Sequence, residues 1–353
     1  MTRPSDRVAF DPVRSPYLIE EADFPWTGPL AEQYLFLLRY VVLAPSTHNT
    51  QPWKFSVSEN GIEVFADYSR RLRAADPGNR ELVMSIGAAM YNLRVAAGHF
   101  GFSCTIDYEY SGASDRPIAV AALAPVPGHR ETDSLFSCIV RRHTNRQPFL
   151  QSRIPRAVLD AFSALAGGSW VSLKISVDGA LNGQVGELVA VADRLQLADP
   201  EFRRDVAEWM RPNWTERPDG VPVVNLGFKG AASALTPSSV RVLDLGTMRA
   251  TGDGSLCSEA PALIVLHSED SVPRWVEAGE ILERVLLTLV REGLQASYFN
   301  MPIKVPELRV KLRSLLGIPS WPQVLLRVGF SLAEASPTPR RPVEDVLVKP
   351  GTF

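Results

Sequence analysis

The chain has 353 residues, of which 45% are hydrophobic and 22% are charged, and its formal net charge is −2. This composition is that of an ordinary globular protein, and the lack of a basic excess argues against nucleic acid as a partner. No run of 18 apolar residues occurs and the first residues, MTRPSDRVAF, hold no apolar signal core, so we expect neither a membrane-spanning helix nor a secretory signal.

The first polar motif follows a helix that we predict over residues 31–43. It reads PSTHNTQPW, from Pro45 to Trp53, and Pro45 is expected to end the helix because its ring disfavours continuation. Short side chains on an irregular backbone can present hydroxyl, amide and N–H groups to a polar ligand. The alternative is that the motif is only a helix stop and a capping turn.

A strand, a long helix and a second strand are predicted after this loop. The first strand begins at Trp53, the helix is an apolar run between Gly87 and Gly101, and the later strand covers 118–123. A glycine directly after an apolar helix suits a left-handed C-terminal cap. Because apolar residues nearly surround this helix, we expect it at the centre of the structure.

The second polar motif, RRHTNR, runs from Arg141 to Arg146 after a Pro/Gly-rich linker at 125–135. Its guanidinium, imidazole and hydroxyl groups form a compact receptor for an anion such as a phosphate monoester. The alternative is a solvated basic turn.

The elements of the first half then recur in the second. In chain order they are a helix at 156–165, a strand from Trp170, an apolar helix between Gly279 and Gly293, and a strand at 324–329. In both copies the two glycines are 14 residues apart. We therefore predict an α+β fold in which two tandem copies, residues 1–130 and 131–353, pack as a pseudo-dimer.

The second copy carries an insert of about 75 residues between its first strand and its long helix. We predict that residues 195–258, approximately, form a lid, because loops of this length are commonly lids or binding loops. Trp209, Met210 and Trp214 could cover a bound ring by stacking. Alternatively, they belong to a satellite hydrophobic cluster beneath the loop.

The polar motifs are distributed unequally between the copies. The second copy reads AGGSW at 166–170 where the first has its hydroxyl-rich loop, and the first has Glu20, Glu21 and Asp23 where the second has arginines. A further basic pair, Arg340 and Arg341, stands between prolines and could reach the same anion in an extended conformation; an ordinary charged tail is the alternative.

Together these motifs resemble the FMN-dependent nitroreductase superfamily. The pairing of R-R-x-[ST]-x-R with P-S-x-x-N-x-Q-P-W carries the resemblance, which covers residues 30–345, and the fused arrangement is most similar to Acg-type members. It implies a nitroreductase-like fold with central buried helices and mixed or antiparallel sheets. In that family the arginine segment and the P-S-x-x-N loop of one FMN site come from different subunits. Here the reciprocal pair has neither motif, which implies one complete FMN site per chain. The usual dimer interface would be internal to the chain, which implies a monomer, and further dimerisation through other surfaces stays open.

The resemblance also implies the roles of individual residues. Arg142, His143 and Thr144 would hold the phosphate and ribityl oxygens, and Arg146 would lie near the flavin edge that becomes anionic on reduction. Gln51 would support its loop. The other implied cofactor-binding residues are Pro45, Ser46, Thr47 and Asn49 from the first copy, Asn300 and Met301 beside flavin N5, where many relatives carry Glu-Gly, and the C-terminal Arg340 and Arg341.

The implied activity is NAD(P)H-dependent, two-electron reduction of nitroaromatic or quinone-like acceptors by a ping-pong mechanism. The flavin would carry the chemistry, so no catalytic side chain is expected. His48 and His143 could relay protons, or be ordinary hydrogen-bonding residues. The alternatives are an FMN storage protein with a closed lid and a nucleotide-binding protein without flavin.

The histidines and cysteines carry no further signal. No two histidines have the spacing of a zinc site, so no metal is expected. Cys104, Cys138 and Cys257 are far apart and odd in number, which is typical of reduced thiols in a cytoplasmic protein.

Overall fold

The computed structural model describes residues 15–110, 112, 115–128, 134–226, 237–242 and 246–349. In the first half, one helix precedes a pair of strands and a second, longer helix precedes another pair. These elements are α1 (Leu30–Val41), β1 (Trp53–Ser58), β2 (Gly61–Ala66), α2 (Arg80–His99), β3 (Phe102–Tyr108) and β4 (Ala119–Pro125).

The second half begins with a short helix and contains more elements than the first. They are α3 (Phe136–Ile139), α4 (Arg156–Ala164), β5 (Ser172–Ser176), α5 (Gly179–Ala198), α6 (Pro200–Trp209), β6 (Met210–Arg211), β7 (Val221–Pro222), α7 (Pro237–Val242), α8 (Gly246–Ser258), β8 (Ala262–Ser268), α9 (Val272–Arg291), β9 (Gln295–Tyr298), α10 (Met301–Lys304), α11 (Pro306–Leu316) and β10 (Trp321–Gly329).

Each half builds one four-stranded antiparallel sheet, and the two sheets have the same strand order. The first runs β1-β2-β4-β3 and the second β5-β8-β10-β9. Within this correspondence α4 takes the place of α1, and α9 the place of α2. The predicted α+β class and the two tandem copies are thereby confirmed.

The additional elements of the second half lie in two places. Helices α5 to α8 are inserted between β5 and β8, and the described part of this insert is largely helical. Asp178 and Asp199 start its first two helices by accepting hydrogen bonds from backbone N–H groups. Positions 227–236 and 243–245 of the predicted lid lie outside the described residues, as do 129–133 of the predicted linker. Helices α10 and α11, between β9 and β10, were not predicted.

The first glycine of each repeated pair lies where the two halves meet. A Cβ atom on Gly87 would lie 2.1 Å from the carbonyl oxygen of Val276, and one on Gly279 would lie 2.0 Å from that of Met84. Both glycines are therefore inside α2 and α9, at the crossing of these helices, and not at the start of the apolar run as the pattern suggested. The later glycines, Gly101 and Gly293, end the helices with φ of 80° and 71°, as predicted.

The strand that was predicted to begin at Trp170 differs from the one that begins at Trp53. Trp53 is fully buried at the start of β1, whereas Trp170 is 72% exposed and precedes β5, which begins at Ser172. The Trp170 ring instead lies under the guanidinium of Arg274, 4.6 Å from it. The Trp in the second copy is thus a surface residue and not a core residue of the strand.

The hydrophobic cores of the two halves interlock. Val276 and Leu287 of α9 belong to the core of the first half, and Met84 of α2 belongs to that of the second. The C-terminal segment adds a further link, because the N–H of Val348 donates to the carbonyl of Phe55 on β1 at 2.8 Å. None of the helices in the described part of the chain has both the length and the apolar character of a membrane-spanning segment.

Candidate functional site

A cavity of about 670 Å³ lies where the two halves meet, and the inserted helices form part of its wall. It brings together eleven of the twelve residues that the sequence assigned to cofactor binding. They are Pro45, Ser46, Thr47 and Asn49 from the first half and Arg142, His143, Thr144, Arg146, Asn300, Met301 and Arg340 from the second.

Arg341, the twelfth residue, lies outside the cavity lining. Its N–H donates to the side-chain oxygen of Gln51 at 2.8 Å, and its guanidinium donates to the carbonyls of Gln51 and Asp345. Arg341 therefore holds the hydroxyl-rich loop in place, and we do not assign it a direct contact with the ligand.

The loop itself has a strained backbone that several contacts maintain. His48, Asn49 and Gln51 all have positive φ, between 50° and 54°, which is uncommon for residues other than glycine. The Asn49 amide donates to the carbonyls of Gly220 and Pro339 at 2.8 Å, and Gln51 donates to that of Pro218. The insert and the C-terminal segment thus hold this loop, and Gln51 has the supporting position that was expected.

Two buried guanidinium groups reach the loop from the second half. Arg142 and Arg340 both donate to the carbonyl of Leu43, at 3.1 and 3.2 Å, and Arg340 also donates to the side-chain oxygen of Asn49 at 2.9 Å. Burial lowers the pKa of Arg340, but an arginine still carries its charge at neutral pH. The cavity wall therefore has fixed positive charge at the predicted anion site.

His143 lies beside these arginines and is uncharged. Burial, together with the positive charges of Arg142 and Arg340, lowers the pKa of its imidazole to about 3. Its ring packs edge-on against Tyr17, with centroids 4.9 Å apart. Near neutral pH, His143 offers hydrogen-bonding nitrogens and no charge.

The rest of the arginine-rich segment is fixed by β9 and the insert. Thr144 forms a parallel bridge with Ala296, and the adjacent Asn145 donates from its backbone to Ala296 and from its side chain to Ala333. Arg146 donates to the carbonyl of Asn225 at 2.7 Å, so the insert touches the residue that was assigned to the flavin edge.

An ion pair that no motif marked also lines the cavity. Lys304 lies 2.8 Å from Glu81, which accepts hydrogen bonds from Thr47 at 2.9 Å and from Asn300 at 3.3 Å. Burial opposes ionisation of Glu81, but Lys304 and Arg80 outweigh it and lower its pKa to about 2. This pair fixes Asn300 next to the first-half loop.

The aromatic residues of the insert do not have the positions that the stacking hypothesis requires. Of Trp209, Met210 and Trp214, only Met210 lines the cavity. Trp209 packs with Phe202, Leu72 and neighbouring residues in a small satellite cluster, and Trp214 is 83% exposed. The satellite-cluster alternative is therefore correct for Trp209.

The insert is attached to the first half by polar contacts. Asp219 lies 2.5 Å from Arg70 and 2.8 Å from Arg211, and the Arg70 guanidinium lies 4.9 Å from the centre of the Trp209 ring. Asp205 on α6 accepts hydrogen bonds from two consecutive backbone N–H groups at residues 74–75. These contacts hold the apolar wall of the cavity against the other half.

Comparison with known proteins gives the following relatives. No family model matches the chain. It is 28% identical over 330 residues to "Putative NAD(P)H nitroreductase Rv3131" of Mycobacterium tuberculosis, covering 91% of this chain and 93% of the relative. It is 24% identical over 310 residues to "Putative NAD(P)H nitroreductase acg" of the same organism, covering 86% and 92%.

Solved structures of nitroreductases are also similar. The FMN and NADPH-dependent nitroreductase NfnB from "sphigopyxis sp. strain HMH" superimposes with a TM-score of 0.41 at 20% identity, covering 61% of this chain and 98% of NfnB. The predicted resemblance to nitroreductases is confirmed by the two sequence relatives, which span most of the chain.

Proposed function

We propose that this protein is an FMN-dependent oxidoreductase that uses NAD(P)H to reduce nitroaromatic or quinone-like acceptors by two electrons. One observation carries the proposal: the hydroxyl-rich loop of one half and the arginine-rich segment of the other line a single cavity. The names of the relatives support the activity and favour it over FMN storage.

The residues of the cavity fit FMN in size and in chemistry. A volume of about 670 Å³ is within the range of cofactor pockets. Arg142 and Arg340 provide fixed charge for a phosphate, Ser46, Thr47 and Thr144 provide hydroxyl groups for ribityl oxygens, and the insert supplies apolar side chains beside a ring.

The chain's own residues would bind and orient the cofactor. When bound, FMN would supply the hydride-transfer chemistry, which needs no protein nucleophile. Arg146 would stabilise negative charge on the ring, and the Glu81–Lys304 pair keeps Asn300 fixed at the cavity wall. The insert residues Phe202, Val206 and Met210 would limit the access of water.

The experiment is anaerobic mixing of FMN-loaded protein with NADPH or NADH. We expect loss of the oxidised-flavin absorbance and its return when a quinone or nitroaromatic acceptor is added. An FMN complex that neither nucleotide reduces would support the storage alternative. Protein that is colourless after incubation with FMN and removal of the unbound flavin would contradict a flavin site altogether.

We further propose one FMN per chain, a monomer and a cytoplasmic location. The contact between α2 and α9 that joins the halves is internal to the chain, which supports the monomer. The three cysteines are free thiols, which supports a reducing compartment.

A further inference from the structure

A buried carboxylate lies behind the arginines of the cavity. Glu283, on α9, is 0% exposed, and neither of its oxygens accepts a hydrogen bond of normal geometry from the described residues. Its Oε1 lies 3.4 Å from Nε of Arg142, and the Nε atoms of Arg142 and Arg340 are themselves buried without hydrogen-bond partners in the same part of the structure. An ionised carboxylate that is fully buried costs free energy unless opposite charges compensate it.

Four groups from different elements surround this carboxylate. Arg142 belongs to the arginine-rich segment between α3 and α4, and Arg340 belongs to the C-terminal segment. Tyr298 is on β9 and Asn92 is on α2. The Asn92 amide is directed to the carbonyl of Tyr40, at 3.3 Å. Burial raises the pKa of Glu283 to about 7, against the lowering effect of Arg142, Arg340 and the nearby Asn92 amide. The charge of this carboxylate is thus poised near neutral pH.

We propose that Glu283 is a positioning residue of the phosphate site, which balances the charge of Arg142 and Arg340 in the free protein and takes up a proton from solvent when FMN binds. This inference rests on the proposed function. A phosphate on the cavity side adds negative charge next to the arginines and replaces the carboxylate as their counter-charge. Protonation of Glu283 then removes the repulsion between two anions that share one pair of cations.

The sign of the pH dependence follows from this exchange. Above pH 7 the carboxylate of the free protein is ionised, so binding of FMN requires a proton that becomes scarcer as the pH rises. The FMN phosphate is already a dianion there, because its second pKa is about 6. Affinity for FMN should therefore fall between pH 7 and 9, whereas affinity for riboflavin, which lacks the phosphate, should not.

The experiment measures the Kd of FMN for the flavin-free full chain from pH 7 to 9, by quenching of flavin fluorescence. We expect the Kd of the wild type to rise with pH, with a slope that approaches about tenfold per pH unit. The Kd of Glu283→Gln should not change with pH, and at pH 9 it should be at least about tenfold lower than that of the wild type. Glu280→Gln is the matched control, since Glu280 is on the same helix but pairs with Arg94 at 2.9 Å. It should follow the wild type.

A second measurement is independent of the folding of the variants. Calorimetric titration of the wild type with FMN at pH 8, in two buffers of different ionisation enthalpy, should show uptake of more than about half a proton per FMN. A wild-type Kd without pH dependence, an equal slope in Glu283→Gln, or no proton uptake overturns the inference while FMN binding still stands. Absence of FMN binding at every pH overturns the proposed function and this inference with it.

Discussion

Arg142 and Arg340 converge on one backbone carbonyl, that of Leu43, from segments far apart in the chain. The residue types of this site could be predicted because arginines between prolines, or clustered with histidine and threonine, are visible in a linear pattern. The buried carboxylate that balances the charge of these arginines could not be predicted. Glu283 lies on a helix that also carries Glu277 and Glu280, and the sequence does not distinguish it from these two residues until the packing shows that it is 0% exposed.

The same limit applies to the pair of Glu81 and Lys304. The two residues are more than 200 positions apart, and only the fold places their charged atoms 2.8 Å apart. The family resemblance could mark Thr47 and Asn300 as candidate cofactor-binding residues, but not the carboxylate to which both donate.

At the residue scale, we predict that Arg142→Lys weakens FMN binding by about tenfold, or roughly 1.4 kcal/mol. Lysine keeps the charge opposite Glu283 but cannot offer the fork of a guanidinium to a phosphate. Fluorescence titration with FMN and with riboflavin checks this prediction. Riboflavin should bind the variant and the wild type equally, and an equal loss for both ligands would contradict the assignment of Arg142 to the phosphate.

At the scale of elements, the repeat was visible because each copy keeps an apolar helix with glycines at the same spacing. This pattern predicted the two central helices and four of the eight strands described in the two sheets, namely β1, β4, β5 and β10. It did not predict α10 and α11, because neither element has a counterpart in the first copy. It misplaced the start of β5, because Trp170 matches Trp53 in sequence but is an exposed residue that packs on Arg274.

The crossing of α2 and α9 gives a stability prediction. Gly279→Ala should lower the free energy of unfolding by at least about 3 kcal/mol, since the new methyl group overlaps a backbone carbonyl that cannot move alone. Gly183→Ala on α5 is the control, because a Cβ atom there meets nothing within 4 Å. It should stabilise the protein by about 0.5–1 kcal/mol. Denaturant unfolding of both variants measures the difference.

The attachment of the insert gives a second prediction at this scale. Arg70→Ala removes the ion pair with Asp219 and the contact with Trp209, so we expect about tenfold more opening of the insert. Hydrogen–deuterium exchange of the backbone N–H groups of α6 reports this opening. Arg217→Ala is the matched control, since Arg217 pairs with the same Asp219 but is itself 67% exposed. Equal exchange rates in the two variants would contradict an anchoring role for Arg70.

At the scale of the whole molecule, one half completes the site of the other. The C-terminal segment belongs to the second half in sequence, yet it packs on β1 and brings Arg340 to the loop of the first half. At the reciprocal position the first half presents the exposed acidic residues Glu20, Glu21 and Asp23. We therefore predict a single FMN per chain.

This stoichiometry can be measured directly. Calorimetric titration of the flavin-free protein should give one binding site per chain, and light scattering after gel filtration should give the mass of a monomer. Two equivalent sites per chain would contradict the asymmetric assignment. A dimer with one FMN per chain would leave that assignment intact and contradict only the monomer.

The matching strand orders of the two sheets have a consequence for how such a molecule can change over generations. In an assembly of identical subunits, every substitution appears twice, so an addition that improves one pocket must be tolerated in the other. Joining the copies in one polypeptide removes that constraint. The helices between β5 and β8 could therefore be acquired on one side alone, while the opposite side was free to lose its binding groups and specialise as a scaffold.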